Sequence, residues 1–96
     1  MVVIWSKQAK DELKKAFDRI ALDSLLNAEK VRDTLIDMTI ELPLHPKKFP
    51  LDKYKITNDG SWRAFEKYHF RISYRIMSDE IRIVRLRHTK RNPTTY

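Results

Sequence analysis

Seven basic residues lie between positions 71 and 91 of this 96-residue chain, among residues that are typical of β-strands. They are Arg71, Arg75, Arg82, Arg85, Arg87, Lys90 and Arg91, and Tyr96 follows them. Arginine offers planar, paired donors that suit phosphate oxygens. Guanidinium groups that leave the same face of a sheet repel one another unless anions lie between them. The pattern therefore predicts a phosphate-binding surface.

The net charge of +7 is concentrated in the second half of the chain. Residues 1–48 carry 9 Lys/Arg and 8 Asp/Glu, and residues 49–96 carry 11 and 5, so the two halves have charges of +1 and +6. This asymmetry favours a polyanionic partner such as nucleic acid, an acidic protein or an anionic membrane. A basic sheet face that is simply solvated would give the same composition.

The composition also excludes several classes of protein. The chain has no cysteine, which excludes disulfides, thiolate nucleophiles and sulfur-ligated metals. No apolar run approaches the roughly 18 residues of a membrane span, and the apolar residues 1–5 are too few for a signal peptide. His45 and His69 have no partners at metal-ligand spacing. We expect one cytoplasmic domain over residues 1–96, with no cofactor, no metal and no membrane partner.

Local patterns in the first half predict a strand followed by a helical hairpin. Residues 2–5 are β-branched or aromatic and predict a short buried strand, which ends at the helix cap Ser6. Asp23 and Ser24 can cap a second helix, and Pro43 ends it. The apolar stripes are Ala9, Leu13, Ala16, Phe17, Ile20 and Ala21 in the first helix, and Ala28, Val31, Leu35, Met38 and Leu42 in the second.

The second half predicts an antiparallel sheet of three to four strands, which makes the fold class α+β. A long connection over residues 43–60 comes first, and residues 53–57 could add an edge strand before a three-residue hairpin signal at 58–60. Three further strands are predicted at residues 62–68, 70–77 and 81–88.

Alternation along the strands assigns side chains to the two faces of the sheet. Phe70, Ile72, Tyr74 and Ile76 should face the helices, and Arg71, Ser73 and Arg75 the opposite side. In the last strand the apolar residues change parity, which indicates a β-bulge or a strand covered on both sides. If Val84 and Leu86 point inward, Arg85 and Arg87 join Arg71 on the outer face, with Arg63 beside them.

The element order and one strand resemble the RelE/ParE superfamily of bacterial type II toxin–antitoxin toxins. The strand is Phe70-Arg71-Ile72-Ser73-Tyr74-Arg75-Ile76, and it is similar to the family's aromatic-Arg-aliphatic-x-Tyr-x-aliphatic segment. A basic strand end and a tyrosine follow it, and the resemblance covers nearly the whole chain. It implies a growth-arresting toxin of the kind linked to plasmid stabilisation, held inactive by an acidic antitoxin.

The resemblance implies one of two mechanisms. RelE-like members cleave mRNA in the ribosomal A site, whereas ParE-like members poison DNA gyrase without being nucleases. Arg71 and Arg63 match basic positions of the nuclease branch, and Arg91 with Tyr96 resembles its terminal pair. Phe65 stands where that branch often has a lysine, and Pro93 interrupts the spacing from Arg91 to Tyr96.

RNA cleavage by attack of a 2′-hydroxyl on the adjacent phosphate needs a base, an acid and cations, and no metal. His88 is the candidate proton shuttle, because its ordinary pKa of about 6.5 is near neutrality. We expect Arg71 and Arg63 to bind the scissile phosphate and Arg91 to stabilise the charge of the transition state. Tyr96 should stack on a base or donate a proton. The expected RNA contacts are Arg75, Arg85, Arg87 and Lys90. The prediction narrowly favours an endonuclease acting on mRNA at the ribosome; a gyrase poison and a plain nucleic-acid-binding module are the alternatives.

Overall fold

The computed structural model describes residues 1–91 and 94–96. The elements are β1 (Val2–Trp5), α1 (Lys7–Ala21), α2 (Leu25–Ile40), a 3-10 turn (Leu42–Leu44), β2 (Trp62–Lys67), β3 (Phe70–Ile76) and β4 (Glu80–His88). The sheet order is β1-β4-β3-β2, in which β1 runs parallel to β4 and the other neighbours are antiparallel. The predicted α+β fold, with its strand, helical hairpin and C-terminal antiparallel sheet, is confirmed.

Serine side chains cap both helices, as predicted. The hydroxyl of Ser6 accepts from the backbone N–H of Ala9 at 3.0 Å, and that of Ser24 accepts from Asn27 at 3.1 Å. Ser6 also donates to the carbonyl of Val84 at 3.0 Å, which fastens the start of α1 to β4. Within the described part of the chain, no helix is both long and apolar enough to cross a membrane.

The core lies between the helical hairpin and one face of the sheet. Ile72 and Tyr74 of β3 are fully enclosed there, as is Leu35 of α2, which confirms the predicted inner face of β3. The Tyr74 hydroxyl donates to the carbonyl of Pro46 at 2.7 Å. Burial raises the pKa of Tyr74 to about 12, so this phenol stays neutral and structural.

The predicted bulge lies in β4. Ser73 is opposite Arg85 but Tyr74 is opposite Ile83, so Val84 is the additional residue. The bulge brings Ile81, Ile83 and Leu86 into the core at once, although their spacing breaks strict alternation. Val84 itself is half-buried, because the bulge removes it from the inward-facing set.

Strand β1 is an edge strand, and the prediction that it is buried was wrong. Val2 and Ile4 are 59% and 45% exposed, while Val3 and Trp5 pack against the core. This strand has one neighbouring strand and is packed on one face only, so alternate side chains stay exposed to solvent.

Residues 53–57 form no strand, so the predicted additional edge strand was also wrong. Residue 51 makes an isolated bridge with Arg63, and the chain then crosses the sheet face that points away from the helices, called the outer face below. The hairpin signal forms an Asx turn instead: Asn58 Oδ1 accepts from Gly60 N at 2.8 Å, with Gly60 at φ 98°.

Candidate functional site

Arg71 lies on the outer face, as predicted, but two carboxylates bind it. Its Nη2 donates to Asp52 Oδ1 at 2.9 Å and its Nη1 donates to Glu66 Oε2 at 3.0 Å. The Asp52 side chain is completely enclosed, and it also accepts hydrogen bonds from the Tyr96 hydroxyl and from the backbone N–H of Tyr54. These five residues, Asp52, Tyr54, Glu66, Arg71 and Tyr96, are called the Asp52 network.

The pKa values of Asp52 and Tyr96 fix the charge of these two side chains near neutral pH. Burial opposes ionisation of Asp52, but hydrogen bonds from Tyr96, Arg71 and the backbone outweigh it and lower the pKa below 3.8. Burial and the hydrogen bond to Asp52 raise the pKa of Tyr96 to about 12. Arg71 therefore faces a carboxylate that stays ionised, and a phosphate would have to displace it.

Tyr96 joins the end of the chain to the long connection. Its backbone N–H donates to the carbonyl of Tyr54 at 2.9 Å, and its carbonyl accepts from Ile56 N at 2.7 Å. Its ring lies edge-on to Trp62 with 5.7 Å between centroids, and the Arg87 guanidinium is 5.6 Å from the ring. The expected catalytic tyrosine is thus held by the outer face. Pro93, which interrupts its spacing from Arg91, lies outside the described residues.

Arg63 does not lie beside Arg71, and that prediction was wrong. Glu66 is opposite Arg71 in the register, so Arg63, three residues earlier, points to the helix side of β2. Its guanidinium donates to the carbonyl of Phe49 at 2.9 Å and to that of Gly60 at 3.3 Å. Arg63 therefore holds the long connection before β2 against the sheet.

Arg85 also departs from the expected outer-face cluster. It makes a bidentate pair with Glu12 of α1, with Nη2 to Oε2 at 2.9 Å. Glu12 Oε1 accepts in addition from the backbone N–H of Leu86 at 3.0 Å. Because β1 ends at Trp5, the neighbouring edge of β4 is open at this point, and Glu12 supplies the acceptor that a longer strand would provide.

Two further outer-face arginines have partners within the chain. Arg75 lies over the Trp62 ring, 4.8 Å from its centroid, and opposite Arg82 in the register. Arg82 pairs with Glu80 at 3.2 Å. Two of the predicted phosphate ligands, Arg71 and Arg85, thus bind carboxylates of the same chain, as does Arg82.

His88 lies on the opposite sheet face from Arg71. It is the partner of Phe70 in the register, and its ring lies edge-on to the Phe70 ring at 5.3 Å. Its Nδ1 accepts from the backbone N–H of Lys90 at 3.1 Å. Burial, and then the charges of Lys90, His69, Arg19 and Arg91, lower the pKa of His88.

That geometry limits what His88 can do chemically. A neutral imidazole whose Nδ1 accepts a hydrogen bond carries its proton on Nε2. Nε2 is then a donor, and the ring has no remaining lone pair for a 2′-hydroxyl proton. The space that His88 shares with Arg71, Arg87 and Arg91 is a pocket of about 50 Å³.

A larger concave site of about 580 Å³ lies between the helical hairpin and the end of β4. It is called the basic cleft. Its cations are Lys15, Arg19, Lys30 and Arg91, its histidines are His69 and His88, and apolar lining residues are Ala16, Ile20, Val31, Phe70 and Leu86. Arg87 also lines the cleft, but its guanidinium lies at the Tyr96 ring on the outer face. Among the described lining residues the one acidic side chain is Glu12, which Arg85 already binds.

The sequence singled out Arg87, His88 and Arg91, but for a phosphate site with Arg71 on the outer face, and it gave no indication of the cations of the helices. Lys15, Arg19 and Lys30 lie in the half of the chain whose charges nearly balance, so net charge gave no signal for them. The spacing of Lys15 and Arg19 by one helical turn was the available signal. Lys90 is exposed and contributes its backbone N–H to His88. No group of three potential metal ligands occurs among residues 1–91 and 94–96.

Comparison with known proteins identifies the family. A sequence model described as the ParE toxin of the type II toxin–antitoxin system parDE matches residues 3–93. No curated protein matched the chain.

Two solved structures share the fold. One is the chromosomal ParDE system from P. aeruginosa, with a TM-score of 0.73, 18% identity, and coverage of 94% of this chain and 97% of that one. The other is the toxin–antitoxin complex RelBE2 from Mycobacterium tuberculosis, with a TM-score of 0.61, 16% identity, and coverage of 91% and 88%. Because the family match spans nearly the whole sequence, the chain belongs to the ParE toxins of type II toxin–antitoxin systems, within the RelE/ParE superfamily.

Proposed function

We propose that this toxin inhibits DNA gyrase, that it does not cleave mRNA, and that a cognate antitoxin neutralises it. The family match supports the ParE-like mechanism. The structural observation that most supports this proposal is the Asp52 network, in which the candidate catalytic residues Arg71 and Tyr96 both bind one buried carboxylate. This proposal replaces the narrow preference for mRNA cleavage.

A metal-independent ribonuclease needs its base, acid and cations around one phosphate. Here Arg71 and Tyr96 are on the outer face, and His88 is on the helix side with Nδ1 occupied. Arg63 is bound to carbonyls of the connection. These placements favour a toxin that acts by docking, which requires a surface and no reacting group.

The antitoxin part of the proposal draws on the structural relatives and on charge. One relative was solved as a toxin–antitoxin complex, and the other belongs to such a system. A net charge of +7 complements an acidic segment that folds as it binds. Since gyrase is the proposed target, the proposal places this toxin in the cytoplasm.

The test compares two assays with the purified chain. We expect inhibited supercoiling and accumulation of gyrase-cleaved DNA, and full-length mRNA after incubation with translating ribosomes. His88→Gln should inhibit gyrase as the unmodified chain does, because inhibition by docking needs no proton shuttle. Site-specific mRNA cleavage that His88→Gln abolishes, with an unchanged melting temperature, would contradict the proposal.

A further inference from the structure

We infer that the basic cleft binds a nucleotide, with phosphate groups held by its cations and a base stacked at the turn that carries His69. The ligand chemistry is a phosphorylated nucleoside, either free or as part of a single strand. The described lining of this site includes no member of the Asp52 network, on which the gyrase proposal depends.

The first argument is uncompensated positive charge in a concave site. Lys15 and Arg19 are one turn apart on α1, Lys30 faces them from α2, and Arg91 follows β4. Within the described residues, none of these four side chains is in a salt bridge, unlike Arg71, Arg82 and Arg85. Cations that line a cleft with low-dielectric walls concentrate the field and attract anions.

The lowered pKa of His88 also supports an anion-binding site in the basic cleft. Its pKa is lowered by burial first, and then by the charges of Lys90, His69, Arg19 and Arg91. These charged groups come from α1, from the turn between β2 and β3, and from the end of β4. Their charges therefore act together at one point of the cleft. A bound anion is the group that would relieve this repulsion.

The second argument is the aromatic edge of the cleft. The His69 and His88 rings are stacked, with 6.3 Å between centroids and 23° between planes. His88 in turn lies edge-on to Phe70, which lines the same cleft. Flat rings beside cations are the combination that proteins use to stack a base and hold its phosphate.

The turn that presents His69 has an unusual backbone. Tyr68 and His69 connect β2 and β3 and have φ angles of 53° and 67°. A two-residue turn of this kind ordinarily favours asparagine and glycine, because both central residues need positive φ. Two aromatic side chains stand here instead, and such strained residues cluster at functional sites. Tyr68 and His69 both line the cleft.

The volume agrees with a small ligand. The cleft measures about 580 Å³, and small-molecule sites commonly measure about 300–1,000 Å³. An acidic peptide would satisfy the cations but would give no role to the stacked rings. It is therefore included below as a competing ligand.

The test uses ATP, inorganic triphosphate and a short single-stranded oligothymidylate, each titrated into the full chain at low salt. NMR should show shifts at Ala16, His69 and Leu86 with ATP or the oligonucleotide. Triphosphate should bind about tenfold more weakly than ATP, because it cannot stack. Tighter binding of ATP would indicate a free nucleotide as the ligand, and tighter binding of the oligonucleotide would indicate a strand; both support the inference.

Matched variants then separate the cleft from general charge. The combined Lys15→Gln, Arg19→Gln, Lys30→Gln variant should lose at least about tenfold in affinity. For the oligonucleotide, the slope of log affinity against log salt concentration should fall in magnitude by about 2 in this variant, because each lost phosphate contact accounts for about 0.7. The control changes Lys7, Lys10 and Lys47 to Gln, which gives the same net charge outside the cleft.

His69→Ala should weaken ATP binding and leave triphosphate binding unchanged, with thermal unfolding checked for every variant. The inference is overturned if triphosphate binds as tightly as ATP, or if the control variant loses as much affinity as the cleft variant. It is also overturned if a glutamate-rich peptide binds the cleft and no nucleotide does. These are direct binding measurements, so their outcome is independent of whether gyrase is inhibited.

Discussion

Asp52 and Arg71 form a salt bridge of 2.9 Å on the outer face of the sheet. Asp52 comes from the long connection before β2, and Arg71 comes from the middle of the sheet. Tyr96 binds the second oxygen of the same carboxylate. One buried carboxylate thus fastens the connection and the end of the chain to β3. The residues that most resemble a phosphate site are used to hold the fold together.

Asp52→Asn should destabilise the protein by up to about 3–5 kcal/mol, because the largely buried Arg71 then keeps only the exposed Glu66 as a charged partner. Urea unfolding at pH 7 measures the loss. The matched control is Asp33→Asn, which removes an exposed pair with Arg32 of the same 2.9 Å length. That control should change the free energy of unfolding by less than about 1 kcal/mol. Equal effects of the two substitutions would contradict the role given to Asp52.

The same carboxylate predicts how stability depends on acid. The pKa of Asp52 in the folded chain is below 3.8, so its contribution is fully present above that value. It is lost as pH falls through the lower folded pKa, because the unfolded chain then binds the proton more readily. The stability difference between the unmodified chain and Asp52→Asn should therefore shrink from pH 5 downward in unfolding measurements. A difference that stays constant down to pH 2 would show that the charge of Asp52 is not involved.

Tyr96→Phe tests whether the terminal tyrosine is structural. The substitution keeps the ring against Trp62 and removes the hydroxyl donor to Asp52. A hydrogen bond to a charged group contributes about 1.5–3 kcal/mol, and we expect a loss of that size in thermal or urea unfolding. Unchanged stability, together with the loss of an mRNA-cleaving activity, would instead assign Tyr96 to chemistry.

Glu12 should stabilise the end of β4, since it binds both the Arg85 guanidinium and the Leu86 N–H. Glu12→Ala should destabilise the protein by about 1–3 kcal/mol and speed hydrogen exchange at the Leu86 amide. Glu12→Gln keeps an acceptor for Leu86 and should restore most of the exchange protection. If both variants exchange Leu86 as slowly as the unmodified chain, the contact has no role in holding this edge.

The local features of this fold could be predicted because their causes lie within a few residues. Ser6 and Ser24 cap helices through N–H groups three residues away. The inner face of β3 follows from alternation of Phe70, Ile72 and Tyr74. The changed parity in β4 indicated the bulge at Val84.

The partner of each arginine was decided only in the folded chain. Arg71 meets a carboxylate 19 residues away, and Arg85 meets one 73 residues away. Arg63 was assigned to the wrong face because the register between β2 and β3 depends on how whole strands pair. The cations of the basic cleft come from two helices and a strand end, so no single segment contains them. Charge patterns along the chain determine which side chains are available, but packing of distant elements determines which charges cancel and which remain for a ligand.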